Sequence, residues 1–199
     1  MVKQFDEDIG SDVWLLLDLH RDVQAGHGEE STEEYLITAA ASIASRVLSM
    51  GFAVGVMGLG ATPLHLPSSR GKDHLARILE ALAWVHADGT APLPAALERA
   101  RRQGIGHRNL LIVTPNVGPQ WVESAGWVFR NRDRTACVLL DSPSFGGRGD
   151  AENAAVQLAA GGVRSYILRR GEPISAALGA PAGRHRYAGG QARANGAPA

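Results

Sequence analysis

Five short runs of the chain are rich in Val, Ile and Leu: 13–17 (VWLLL), 52–59 (FAVGVMGL), 109–113 (NLLIV), 136–140 (ACVLL) and 163–169 (VRSYILR). Runs of this length without polar alternation suit strands buried on both faces of a sheet. Between them, apolar residues recur at helical spacing. In 32–50, Leu36, Ala40, Ile43 and Val47 fall on one stripe, Ser31 and Glu34 carry a capping-box signature, and Gly51 ends the pattern. The spacing in 73–86 predicts a helix with Leu75, Leu79, Leu82 and Val85 inward, and 92–104 predicts one whose last turns carry arginines that suit the helix dipole. Segment 151–160 is a fourth helix, closed by Gly161 and Gly162. Segment 120–130 is ambiguous between helix and loop, Gly126 weakening the helical pattern.

Strands alternating with helices imply parallel crossovers, hence an α/β fold with a three-layer, doubly wound, mostly parallel sheet. One connection departs from this. After Leu59 only Gly60, Ala61 and Thr62 separate the strand from Pro63-Leu64-His65-Leu66-Pro67, which is too short a gap for a helix. That pattern predicts a hairpin and one antiparallel edge strand, where prolines are tolerated. From Pro181 onward the chain is rich in Gly, Ala and Pro and loses periodicity, so 1–180 is read as one domain and 181–199 as a disordered tail.

Charge changes the picture by exclusion. Lys plus Arg and Asp plus Glu number 20 each, so no net field draws the chain to nucleic acid. The single cysteine, Cys137, lies in an apolar run and reads as a small buried thiol in a reducing compartment. The start, MVKQFDEDIGSD, has no apolar secretion core, and no run approaches the ~20 apolar residues of a membrane helix. A cytoplasmic location is the expectation.

Candidate chemistry collects where the first strand ends, in Asp18-Leu19-His20-Arg21-Asp22. Two carboxylates with an imidazole suit Zn²⁺ or Mn²⁺ better than Mg²⁺, which takes oxygen ligands. The plainer alternative has Asp18 accepting hydrogen bonds from the next loop, with His20 and Asp22 paired in solvent. Asp18, Thr114 and Asp141 each follow a predicted strand, so all three emerge at one sheet edge. Trp121 and Trp127 are core residues or, where 120–130 is exposed, a partner-facing apolar patch. Gly58-Leu59-Gly60 is followed by Pro63 rather than by a helix, so it is no phosphate loop, and no Gly-x-Ser-x-Gly elbow exists.

The stretches VKQF, VWLLLD, TEEYLITAAASIASRVLSMGFAVGVMGLG, SSRGKDHLARILEALAWV and LLIVTP, in that order across residues 2–170, resemble the bacterial domain of unknown function family 58, whose domains are von Willebrand factor A-like. That resemblance implies an upper surface at the strand C-termini, which in such domains often carries a metal-ion-dependent adhesion site. Its motif is an Asp-x-Ser-x-Ser group, a Thr from a later loop and an Asp after the fourth strand. Here Asp18 and Thr90 match, His20 and Asp22 stand where serines would be, and Thr114-Pro115-Asn116 replaces the last Asp. The resemblance also implies association with a MoxR-type AAA+ ATPase, since genes of this family are often found beside one. Family members normally carry more chain before VKQF, often with membrane helices; Met1 stands directly before it here, so a truncated or split member is expected.

Three functional expectations follow. The first is a non-enzymatic interaction or assembly domain with a degenerate metal site and no cofactor, presenting loops 18–30, 88–92, 114–120 and 141–150 to a protein partner through Thr114, Asn116, Trp121 and Asp141. The second is a metal-dependent module holding Mg²⁺, Mn²⁺ or Zn²⁺ through Asp18, His20, Asp22 and Thr90. The third is a hydrolase using Asp18 as nucleophile or base, with Asp141 or His20 assisting.

Overall fold

The computed structural model describes residues 12–105, 108–118, 121 and 134–178. Segment VKQF, most of 120–130 including Trp127, and the tail 181–199 lie outside them. Six strands form one sheet: β1 (Val13–Leu17), β2 (Val54–Leu59), β3 (Pro63–Ser69), β4 (Asn109–Thr114), β5 (Thr135–Leu140) and β6 (Arg164–Leu168), in the order β3-β2-β1-β4-β5-β6. All neighbouring pairs are parallel except β2 with β3, which is antiparallel. β3 alternates exposed and half-buried residues, and its prolines sit on the sheet edge. There a missing N–H costs no central ladder bond and discourages pairing with another chain.

Helices α1 (Thr32–Ser49) and α2 (Lys72–Ala83) cover one face, joined by the short α5 (Ile174–Ala177). Helices α3 (Leu93–Arg102) and α4 (Ala151–Ala160) cover the other. Leu15, Leu17, Val54, Val56, Leu111 and Val113 point into the first layer; Leu16, Met57, Leu110 and Ile112 point into the second. The central strands therefore have no polar face, which is why they read as continuous apolar runs. Ser31 caps α1 by accepting the Glu34 N–H at 3.2 Å, and the expected stripe of Leu36, Ala40, Ile43 and Val47 is buried.

One helix sits differently from its expected orientation. In α2 the buried residues are His74, Ile78 and Leu82, while Leu79, expected inward, is 44% exposed. His74 bonds through Nε2 to the Val54 carbonyl at 2.7 Å. That bond pairs one ring nitrogen inside the layer, Nδ1 having no partner among the described residues, and it sets His74, Ile78 and Leu82, rather than Leu79, against the sheet.

Candidate functional site

β1 pairs with β2 on one side and with β4 on the other, so the chain reverses its winding direction between β1 and β4. In open parallel sheets this switch point opens a crevice at the strand C-termini, where ligands bind. Leu17 lies level with Val113, so the next residues, Asp18 and Thr114, flank that crevice.

The crevice is closed by those two residues. The Thr114 hydroxyl donates to Asp18 Oδ2 at 2.6 Å, and the His20 backbone N–H donates to Oδ1 at 3.3 Å. Asp18 is 2% exposed and Thr114 fully buried. Burial drives the Asp18 carboxyl above its usual range; the Thr114 and His20 hydrogen bonds oppose this and do not cancel it. Thr114 Oγ1 also accepts the Asn116 N–H at 2.9 Å, so the hydroxyl links both strand ends.

The loops above are tied to one another. Arg21 N donates to Gly89 O and Gly89 N to Leu19 O, each at 2.9 Å, forming a parallel bridge between His20 and Gly89. Gly89 permits the approach, because a Cβ there would run into the Leu59 carbonyl oxygen. Gln24 Nε2 donates to the carbonyls of Asp18 (3.1 Å) and His20 (3.2 Å), while its Oε1 accepts from Thr32 at the start of α1. A Cβ on Gly147 would stand 2.7 Å from that of Ala25, and one on Gly149 would overlap Val117, so the 141–150 loop packs on both neighbours.

The expected site residues divide accordingly. Asp18, Thr114 and the backbone of His20 converge. His20 Nε2 instead faces Asp22 Oδ2 at 3.7 Å, and the Asp22 side chain is 72% exposed. Thr90 is exposed on the loop that the bridge brings beside His20. Asn116 folds back on itself: its Oδ1 accepts from Gly118 and its carbonyl from Trp121 Nε1 at 2.8 Å. Trp121 is 2% exposed, so its ring belongs to the core. Asp141 stands two strands away from Asp18, with Oδ2 3.6 Å from Arg169 Nε; burial raises its pKa and Arg169 opposes. Gln24 and Gly89, which hold the loops, carry no motif that could have announced them.

For a divalent ion this donor set is a poor fit. Both Asp18 oxygens are engaged internally, and an ion taking that carboxylate would have to enter a position closed to the waters that Mg²⁺ keeps. Among the described residues no group of three or more His, Cys, Asp or Glu side chains is arranged to hold a metal. Nor do Asp18 and His20 form a nucleophile–base pair, because the imidazole faces Asp22.

No curated protein matches the sequence. Solved structures share the fold. The SpRpn10 VWA domain has 13% identity and a TM-score of 0.57, covering 84% of this chain and 93% of that chain. The conserved hypothetical protein BatB from Bacteroides thetaiotaomicron has 16% identity and a TM-score of 0.55, covering 85% and 96%. The pilus adhesin SpaC from Lactobacillus rhamnosus GG, in its open conformation, has 10% identity and a TM-score of 0.60, covering 84% of this chain and 29% of its own. These likenesses establish a von Willebrand factor A-like fold. No helix among the described residues is long and apolar enough to cross a membrane. The sequence matches the family "Protein of unknown function DUF58" over residues 1–144, nearly three-quarters of its length, and the chain belongs to that family.

Proposed function

We propose that this chain is a non-enzymatic protein-interaction domain whose adhesion-type metal site is degenerate and whose upper loops form a preorganised contact surface. The observation that carries this reading is the Thr114–Asp18 hydrogen bond. At the position where the resembled site would place a metal-binding carboxylate, a hydroxyl from the adjoining strand takes the ion's role of tying two loops together. The bridge at His20 and Gly89 and the Gln24 clamp support the same reading, because a rigid surface binds a partner at lower entropic cost. The proposed partner is a MoxR-type AAA+ ATPase, an inference from the family resemblance. Co-elution of the two purified proteins tests it. Asp22→Arg combined with Thr90→Arg, both exposed on the upper rim, is expected to abolish co-elution without lowering Tm. Unchanged co-elution would move the interface elsewhere.

A metal-dependent module is the second reading, favoured by the backbone bridge that carries the Thr90 loop to Asp18–Asp22. Thermal unfolding in EDTA, Mg²⁺, Mn²⁺ and Zn²⁺ separates the two. An ion at a hundredfold its Kd adds about 2.7 kcal/mol, so a specific site gives a visible rise in Tm. The favoured reading expects the same Tm in all four.

A further inference from the structure

Trp84 directly follows α2, and it is the most exposed large apolar residue among the described ones, with 80% of its surface in water. Its neighbours turn it outward: Leu82 and Val85 are both in the core, and the two residues between them, Ala83 and Trp84, are both exposed. Burying an aromatic ring of this size is worth about 2–3 kcal/mol, which this fold forgoes. Beside the indole lies a cleft of about 160 Å³ between the end of α2 and the β2–β3 turn. Pro63, Leu64, Ala81 and Val85 supply apolar walls, and Asp88 stands among the lining residues.

Among the residues lining the cleft the one formally charged side chain is a carboxylate, Asp88. Asp88 Oδ1 accepts the Ala61 N–H at 2.7 Å, which fixes the carboxylate against the turn. Glu80 is exposed one helical turn before Trp84, on the same stripe. His86 is matched to Glu33, Nδ1 to Oε1 at 3.4 Å. An open indole face beside carboxylates suits a cation above the ring, and it repels an acidic partner.

We propose that Trp84 and this cleft are a docking point for a partner-protein segment in which an apolar side chain adjoins a Lys or Arg. The apolar side chain fills the cleft, and the cation lies between the indole face and the Asp88 and Glu80 carboxylates. Isolated tryptophans in such positions carry a large share of binding energy at protein interfaces. The proposal rests on the reading of the domain as an interaction module, but it names a contact centred on the end of α2, to which Asp88 of the 88–92 loop contributes and Asp22 does not.

The test uses fluorescence anisotropy on the 199-residue chain with three short labelled peptides. One presents Leu-Arg-Leu-Arg, one Leu-Glu-Leu-Glu and one Ala-Arg-Ala-Arg. The first is expected to bind with a Kd below about 1 mM, and the other two at least about tenfold more weakly. Trp84→Ala is expected to weaken the first about tenfold or more, and Trp84→Phe less. Glu80→Gln with Asp88→Asn, which keeps the acceptor for Ala61, is expected to weaken it severalfold and to flatten its salt dependence. Equal binding of the acidic peptide, no loss in Trp84→Ala, or no binding of the first peptide would overturn the proposal. So would sedimentation showing that Trp84 joins two copies of this chain. Asp22→Arg alone, on the 18–30 loop, should leave peptide binding unchanged, so a failed ATPase interaction and a failed docking site give different results.

Discussion

Thr114 and Asp18, 96 residues apart in the chain, are joined by a 2.6 Å hydrogen bond across the β1–β4 boundary. The bond lies inside the protein, and its carboxylate is held above its ordinary pKa of 3.8, chiefly by burial. The folded state therefore keeps this proton to a higher pH than the unfolded chain does. Asp18 stabilises the fold fully below the unfolded value near 3.8, and that contribution is lost as pH rises through the raised folded value. Urea unfolding of the wild type and Asp18→Asn across about pH 3 to 8 should show this. Asn cannot ionise, so its stability relative to wild type should increase with pH and then level off, above any constant offset from the altered hydrogen bonds. Parallel curves would mean that Asp18 titrates as it does in the unfolded chain. Thr114→Val, which leaves the buried carboxyl without its shortest partner, should cost about 1.5–3 kcal/mol.

The sheet was readable because buried parallel strands leave uninterrupted apolar runs, and the edge strand because Pro63 and Pro67 punctuate a short gap. The convergence of Asp18 and Thr114 was readable too, since topology alone places both at one edge. The partners of the carboxylate were not: whether Asp18 faces His20, Asp22 or Thr114 depends on side-chain rotation, and composition says nothing about that. The orientation of α2 was missed for a related reason. Periodicity favours Leu79 over His74, but a strand carbonyl within reach of Nε2 pairs one imidazole nitrogen and allows the ring to be buried, which spacing alone does not show.

Gly89 is where the loop surface should be most sensitive to substitution. A methyl group there meets the Leu59 carbonyl oxygen and the Leu19 oxygen, both backbone atoms with little room to yield. Gly89→Ala should cost about 1–3 kcal/mol in urea unfolding. It should also speed amide exchange at Arg21 and Gly89, whose N–H groups form the bridge, while leaving β4 and β5 protected. A neutral substitution would show that the bridge is looser than described.

Cys137 should behave as an inert thiol. It is fully buried between Ile112 and Ser165 on neighbouring strands, and burial together with the nearby Asp18 charge holds its pKa far above the ordinary 9.0. A disulfide reagent should label the native protein only as fast as it opens, and the denatured chain at once. Above about pH 9.0 the unfolded thiol ionises while the folded one does not, so stability should decline there. Rapid labelling of native protein would contradict the packing.

The two described tryptophans at opposite extremes of burial give the sharpest contrast. Trp121 is buried, with Nε1 donating to the Asn116 carbonyl, so Trp121→Ala removes core volume and leaves that acceptor exposed to loss of its partner. A cost of about 3–5 kcal/mol is expected, and Trp121→Phe, which restores most of the lost volume without the donor, should recover more than half. Trp84 projects into solvent, so Trp84→Ala should change stability by less than about 0.5 kcal/mol. Acrylamide should quench Trp84 readily, and the quenched fraction should fall in Trp84→Ala. The asymmetry matters because an exposed aromatic side chain that does not stabilise its own fold is free to act on another molecule. If Trp84→Ala instead unfolds the chain, the ring is structural and the docking site on α2 loses its basis.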